Sequence, residues 1–194
     1  MNERRAQRAD AADNRARIIE AASVLVATSE DIRLNAVAKK AGVGQGTLYR
    51  HFPTREDLLA EVYRHDVDDL VASAPVLLAA HTPLAALERW MDRVADYAQV
   101  KRGVFAAVES ALWRDLAAHS LGPIGRALTL LLDAGKSEGS IRDDVDADDV
   151  IVLIAFLTRL EPERYETRAR HLLGLVLDGL KADRASLEPQ QRGA

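Results

Sequence analysis

The sequence predicts an all-α protein: a three-helix helix-turn-helix head, joined by a fourth helix to a helical-bundle body, with about nine helices in total. Three observations predict this fold. Apolar residues recur at spacings of three and four along most of the chain, as they do on one face of an α-helix. No stretch shows the β-branched alternation that is typical of a strand. Glycines and prolines punctuate the periodic stretches, at Gly42, Pro75, Pro83, Gly122-Pro123, Gly139 and Pro162.

Charge is distributed unevenly along the chain. Residues 1–56 carry ten Lys/Arg and seven Asp/Glu, a net of +3, whereas residues 57–194 carry sixteen and twenty-three, a net of −7. A basic end on an acidic chain favours nucleic-acid binding by that end. The chain contains no cysteine, which excludes disulfides and thiolate metal sites. It shows no secretory signal and no apolar run of the roughly 18 residues that a bilayer requires, so we expect a cytoplasmic protein.

The head is predicted from the run LNAVAKKAGVGQGTLYRHFPTREDLL, residues 34–59. Residues 34–41 form a short helix, after which Gly42 permits the positive φ of a tight turn between crossed helices. A second helix over residues 45–51 buries Leu48 and turns polar side chains outward. A helix presented in this way can enter the major groove of DNA.

Two helix starts are marked by caps. Thr54 precedes the fourth helix and has Asp57 three residues later, which is the Asp variant of a capping box. The acidic loop of residues 143–149 is expected to cap the helix that follows it, because carboxylates stabilise a helix N-terminus. The predicted organisation is a head over residues 1–56, a ligand-binding and dimerisation domain over 57–184, and a disordered tail over 185–194.

The stretch AGVGQGTLYRHFPTREDLL, residues 41–59, resembles the head of TetR-type (TetR/AcrR family) transcriptional regulators, and the similarity covers roughly residues 13–63. Residues 96–108 and 126–150 are similar to a ligand-domain subtype common in actinobacterial members. The resemblance implies a homodimeric repressor that binds a palindromic double-stranded DNA operator and is released by a small effector held in the C-terminal body.

The same resemblance implies roles for individual residues of the head. Side chains at Tyr49, His51 and Arg55 match phosphate-holding positions, and Thr47 matches a position that contacts phosphate or base. Gln45 and Arg50 match base-reading positions; glutamine pairs with adenine and arginine with guanine. The expected DNA-binding set is Arg15, Gln45, Gly46, Thr47, Tyr49, Arg50, His51 and Arg55. Leu34 and Gly44 depart from the family's usual threonine and serine, so one phosphate contact and one cap are expected to be missing.

Large side chains on the fifth and sixth helices suggest an effector site. They either line a mostly apolar cavity for a small hydrophobic or aromatic molecule, or fill a solid core. Glu109 either orients the ligand or faces solvent. The alternative function is a constitutive DNA-binding regulator with no effector. The candidate ligand-binding residues are Trp90, Val94, Tyr97, Phe105, Val108, Glu109, Leu112 and Trp113.

The last two helices suggest a dimer interface. The run Leu172–Leu177 is apolar nearly all round, so it must bury two sides, one against the body and one against a partner. The predicted interface comprises Val150, Ile154, Leu157, Leu172, Leu173, Val176 and Leu180. An enzyme or carrier is disfavoured because no nucleophile motif or carboxylate cluster is found. The five histidines lack ligand spacing, so no metal and no cofactor are expected.

Overall fold

The computed structural model describes residues 2–28, 32–108, 110–161 and 164–182, and this part of the chain forms eight α-helices and one 3-10 helix without a strand. The all-α prediction is therefore confirmed, with a helix count close to nine. Glu109 and the predicted tail over 185–194 lie outside the described residues. The elements are α1 (Asn2–Thr28), α2 (Leu34–Ala41), α3 (Gln45–His51), α4 (Arg55–Ala80), α5 (Pro83–Ala107), α6 (Ser110–Glu138), α7 (Ala147–Ile154), the 3-10 helix (Ala155–Arg159) and α8 (Tyr165–Leu180).

The first of two compact units comprises Met1–Asp69 and Asp96–Leu121. It contains the three helices of the predicted head and, in addition, parts of α4, α5 and α6. Because apolar side chains spaced along α1 to α4 converge, the head has a core of its own. That core includes Ile18, Ala22, Val37, Ala38, Leu48, Phe52, Leu58 and Leu59.

The turn between α2 and α3 has the predicted geometry. Gly42 adopts φ 65°, ψ 33°, the left-handed conformation that residues with a Cβ avoid. The amide of Val43 then donates to the carbonyl of Ala38 at 3.0 Å, which closes the end of α2. Gly44 begins α3 without a side-chain cap, as its departure from serine predicted.

The second unit comprises Leu70–Ala95 and Gly122–Ala194. Its core includes Leu87, Trp90, Met91, Leu128, Leu131, Leu132, Ile141 and Val150. Two buried polar groups are satisfied by backbone carbonyls: the Trp90 indole donates to Leu70 at 3.0 Å, and the Tyr165 hydroxyl donates to Ala95 at 2.7 Å. An isolated antiparallel bridge between Ile141 and Lys181 fixes the end of α8 to the loop that follows α6.

Both predicted caps are confirmed. At the start of α4, the Asp57 amide donates to Thr54 Oγ1 at 3.1 Å, and the Thr54 amide donates to Asp57 Oδ2 at 3.2 Å. At the start of α7, Asp146 and Asp149 form the same reciprocal pair at 2.9 and 3.1 Å. Each pair satisfies two backbone donors that a helix start leaves without partners.

Two expected helix breaks are wrong. Pro75 lies inside α4 and Gly122-Pro123 lies inside α6. Proline removes one amide donor and clashes with the carbonyl four residues earlier, but a helix continues where that carbonyl finds another partner. Pro75 is exposed and Pro123 is half-buried. Pro83, in contrast, occupies the first position of α5, where its missing amide costs nothing.

Candidate nucleic-acid interface

Helix α3 presents a polar face to solvent. Leu48 is buried in the head, whereas Tyr49 is 51% exposed. Gln45, Gly46 and Arg50 are also exposed, and Thr47 and His51 are half-buried. The buried Leu48 side chain therefore anchors α3 to the head, while most of its other side chains remain accessible to solvent. A recognition helix that reads a DNA groove has this arrangement.

The segment around this helix carries charge of one sign. Residues 33–55 contain five Lys/Arg and no Asp/Glu. Lys39 and Lys40, in the last turn of α2, are exposed, as is Arg50. Exposed cations on a segment that has no carboxylate of its own attract the phosphate backbone of DNA irrespective of sequence.

Two arginines differ in how they are held. Arg50 donates from Nε to the carbonyl of Gly46 one turn earlier at 3.1 Å, which orients its guanidinium along the exposed surface of α3. Arg55 opens α4 and is half-buried. Its Nε is buried and finds no hydrogen-bond acceptor among the described residues. Burying a guanidinium nitrogen without a hydrogen-bond acceptor costs free energy, so the position of Arg55 at the start of α4 is locally unfavourable.

Arg15 lies in an internal contact that sequence reasoning missed. Its guanidinium makes a 2.7 Å ion pair with Glu61 of α4 and lies 5.3 Å from the centroid of the Phe52 ring. Although burial raises the pKa of Glu61, hydrogen bonds and charge from Arg15 and then Arg64 outweigh it and hold that pKa below its ordinary value. Arg15 therefore fastens α1 to α4, and any role on DNA would be additional.

The candidate effector residues divide between the two units. Trp90 and Val94 are buried in the second unit, while Tyr97, Phe105, Val108, Leu112 and Trp113 belong to the first. Within the first unit the structure adds Tyr63 and Ser120, which no local sequence pattern marks. The Tyr63 hydroxyl donates to Ser120 Oγ at 2.8 Å and lies 2.8 Å from the Tyr97 hydroxyl. Because the Tyr63 hydroxyl donates its single proton to Ser120, it can only accept from Tyr97, so the Tyr97 hydroxyl is the donor of that hydrogen bond.

A row of packed aromatic rings leads from these buried, hydrogen-bonded hydroxyls to the surface. Tyr63 packs edge-on against Trp113 with centroids 5.5 Å apart, and Trp113 packs edge-on against Phe105 at 5.1 Å. Phe105, at the outer end, is 56% exposed. Burial, followed by the neighbouring Tyr63, raises the pKa of Tyr97, so its hydroxyl stays protonated.

The predicted dimer residues also divide, by burial. Leu173 is 2% exposed, and Val150, Ile154, Leu157 and Leu180 are likewise buried within the second unit. These five side chains, four on α7 and α8 and Leu157 on the 3-10 helix, pack into the core of their own unit and offer little surface to a partner chain. Leu172 and Val176 are half-buried. The apolar side chains that α7 and α8 expose are Val152 at 73%, Leu153 and Leu175 at 57%.

These exposed side chains border a groove of about 800 Å³ on the second unit. Its apolar wall includes Val152, Phe156, Leu172, Leu175 and Val176, and acidic residues of the 144–149 segment form its rim. An exposed apolar strip with a polar rim is the form that a protein–protein interface takes.

Within the described ranges, no group of three or more His, Cys, Asp or Glu side chains could hold a metal ion. Among the same residues, no helix combines the length and apolarity needed to cross a membrane.

Comparison with known families identifies both parts of the chain. Residues 30–62 match the model of bacterial regulatory proteins of the tetR family. Residues 82–182 match the C-terminal domain of SbtR-like transcriptional regulators. Among curated proteins, an HTH-type transcriptional regulator of Staphylococcus aureus (strain USA300) is 46% identical over 63 residues, 31% of this chain and 34% of that protein. That alignment therefore spans about a third of the relative's length.

Solved structures extend the likeness over nearly the whole chain. A TetR transcriptional regulator from Streptomyces coelicolor is 38% identical with a TM-score of 0.73, covering 87% of this chain and 98% of that one. A TetR transcription regulatory protein from Mycobacterium vanbaalenii is 34% identical, also with a TM-score of 0.73, covering 91% and 99%. These relatives are transcriptional regulators and not enzymes.

Proposed function

This chain belongs to the TetR family of DNA-binding transcriptional regulators, and on that premise we propose that it is a homodimeric repressor, acting on DNA in the cytoplasm, that binds a palindromic operator and is released by a small hydrophobic or aromatic effector. The observation that carries the DNA-binding part is the polar face of α3 within a segment that contains no carboxylate.

Individual contacts follow from side-chain chemistry. Gln45 and Arg50 are exposed on α3 and suited to bidentate pairing with adenine and guanine. Tyr49, His51 and Arg55 are proposed to hold phosphates, which fixes the register of the helix without reading sequence. Thr47 and the backbone at Gly46 complete the proposed set, with Arg15 contributing only if it leaves Glu61.

The proposed dimer uses the exposed faces of α7 and α8. In the lone chain these helices leave Val152, Leu153 and Leu175 largely exposed to water, where apolar side chains add little to stability. Packing them against a second copy would remove this apolar strip from water. The proposed interface therefore differs from the one predicted from sequence. It keeps Leu172 and Val176, and it adds the exposed side chains on α7 and α8. A two-fold axis through these helices would form a four-helix bundle.

Two-fold symmetry is what an operator requires. Successive major grooves on one face of DNA are separated by roughly 34–36 Å, so each head must reach one half-site. An effector that changes this spacing by a few ångströms would weaken binding, and a coupling of about 1–3 kcal/mol suffices for a response.

A constitutive regulator is the second candidate, because part of the predicted effector set behaves as core. Trp90 is fully buried and its indole is satisfied by Leu70 in the same unit. If the remaining residues are equally well packed, no effector would be needed and the protein would bind DNA at all times. A Val108→Phe variant separates the two candidates, since filling an effector site abolishes the response but leaves DNA affinity intact.

The experiment begins with selection of bound duplexes from a random-sequence pool. We expect an enriched palindrome and two chains per duplex, measured by anisotropy and analytical ultracentrifugation. Gln45→Ala should change which bases are enriched, whereas Arg93→Ala, an exposed control on α5, should not. Enrichment of no motif would refute the operator, and one chain per duplex would refute the dimer.

A further inference from the structure

Lys101 on α5 carries a half-buried ammonium that makes no ion pair with any residue the structure describes. Its Nζ lies 5.7 Å from the centroid of the Trp113 ring and 6.0 Å from that of Tyr97. No carboxylate of the described residues lies within ion-pair distance of it. Burial lowers the pKa of Lys101, which indicates that the charge loses hydration without an opposite charge to replace it.

The Tyr97 ring next to this ammonium is held in place by a series of hydrogen bonds. The Tyr97 ring is held by the hydrogen bond to Tyr63, which in turn donates to Ser120, whose hydroxyl donates to the carbonyl of Ala117 at 2.9 Å. The hydroxyls of Tyr97, Tyr63 and Ser120 thus each have a hydrogen-bond acceptor inside the protein. The rings that flank Lys101 are therefore fixed in advance, and the cation–π contacts aim the ammonium at one place.

An apolar surface lies beside the cation. Phe105 is one turn beyond Lys101 on α5, is 56% exposed, and packs edge-on against Trp113. An exposed aromatic ring next to a poorly hydrated cation is complementary to a molecule with an apolar body and one negative charge.

We propose that Lys101 binds the carboxylate of an anionic effector, and that the apolar body of this effector packs on Phe105 and Trp113. The proposal rests on the proposed function, since it names the chemical class of the effector. A carboxylate near Nζ would replace the lost hydration by a charge-assisted hydrogen bond. A cationic ligand would face repulsion from Lys101 at the same spot.

The position of the site suggests how binding reaches the head. Gly103, two residues after Lys101, lies against α1: a Cβ built on it would be 2.3 Å from the carbonyl oxygen of Val26. The segment of α5 that carries Lys101 and Phe105 is thus in direct contact with the first helix of the head. A ligand that shifts this segment must also shift α1 or break the contact.

The test compares matched acids and amides on the full chain. The probes are naphthoate and naphthamide, phenylpropionate and phenylpropanamide, and octanoate and octanamide. We expect at least one acid to raise the Tm and to bind about ten-fold more tightly than its amide by calorimetry. Lys101→Met should erase this preference, and Lys101→Arg should keep it. Methionine replaces the lysine stem with an apolar chain, and circular dichroism verifies that the variant folds.

A second readout needs no variant. Acid binding should raise the pKa of Lys101 in the wild-type protein, followed by NMR of the side chain, because the carboxylate stabilises the ammonium. The proposal is overturned if no acid stabilises the protein, if amides match acids, if phenylpropylamine binds better than phenylpropionate, or if Lys101→Met retains the preference. Duplex selection without probe tests the regulator function separately, so loss of acid selectivity with intact DNA binding removes only this inference.

Discussion

The hydroxyl of Ser23 in α1 lies 3.3 Å from each carboxylate oxygen of Asp66 in α4, so a hydroxyl and a largely buried acid link the first helix to the fourth. Burial raises the pKa of Asp66 to about 6, because desolvation disfavours the charged form more than the Ser23 hydrogen bond favours it. Among nearby charges, His65 lowers this pKa, while Asp69 raises it.

The first prediction concerns the pH dependence of stability. Since the folded pKa of Asp66 lies above its unfolded value of 3.8, the native state holds a proton that the unfolded chain releases between these two pH values. Stability contributed by this group therefore increases as pH falls from 7 to 4, by at most about 3 kcal/mol. Asp66→Asn, which mimics the protonated acid, should be more stable than wild type at pH 7.

Urea unfolding at pH 7 and pH 5 measures this effect. The wild type should gain stability at pH 5, and Asp66→Asn should lose that part of the gain. Asp68→Asn is the matched control, because its carboxylate is exposed and is not among the groups that shift the pKa of Asp66, so the pH dependence should be nearly unchanged. Equal pH dependence in wild type and Asp66→Asn would show that Asp66 ionises normally.

The second prediction concerns phosphate contacts. Arg55→Ala and His51→Ala should weaken binding to selected and random duplexes by similar factors, because phosphate contacts carry no sequence information. Loss of the Arg55 cation should also reduce the slope of log affinity against log salt by about 0.9, because a cation on a phosphate releases counterions. Anisotropy titrations over a range of salt concentrations measure both quantities. An unchanged slope for Arg55→Ala would remove this residue from the phosphate contacts.

The third prediction concerns the dimer. Val152→Glu and Leu175→Glu place charges at positions that are 73% and 57% exposed in the lone chain, so each variant should fold but dissociate. Leu173→Glu is the contrasting control, because Leu173 is 2% exposed and a charge there has no water and no partner. We expect that variant to lose stability. Light scattering that finds dimers for both surface variants would argue against this face.

Local interactions were predictable because both partners lie within a few residues. The turn at Gly42, the Thr54–Asp57 cap and the Asp146–Asp149 cap each follow from the choice of two or three neighbouring side chains. The sequence also indicates that α8 has two apolar faces. It does not indicate which face meets the body, since this depends on packing between distant segments; Leu173 is buried and Leu175 exposed on the same helix.

Pairs of residues that are distant in sequence could not be predicted, because their meeting depends on how separate helices pack. Arg15 and Glu61 are 46 positions apart, and nothing in either local pattern indicates that they meet. Tyr63 and Tyr97 likewise carry no shared signal, although their hydroxyls lie 2.8 Å apart. The helices through Pro75 and Pro123 show that neighbouring structure can override a local breaker.

The fourth prediction concerns the contact between α5 and α1. A Cβ at Gly103 would lie 2.3 Å from the carbonyl oxygen of Val26 and 2.7 Å from its Cγ1, and backbone atoms of a packed helix cannot move aside cheaply. Alanine is otherwise preferred to glycine within a helix by about 1 kcal/mol. Gly103→Ala should nevertheless destabilise the protein, by about 1–3 kcal/mol, because the clash forces α1 and α5 apart.

Gly125→Ala in α6 is the matched control, since the nearest atom to a Cβ there, Ile151 Cδ1, is at an ordinary 3.9 Å. That variant should be as stable as wild type or slightly more stable. Urea unfolding compares the two, and duplex binding shows whether displacing α1 also lowers DNA affinity, as expected if α1 supports α2 and α3. A Gly103→Ala protein that gains stability like Gly125→Ala would contradict the close approach, and with it the route from Lys101 to the head.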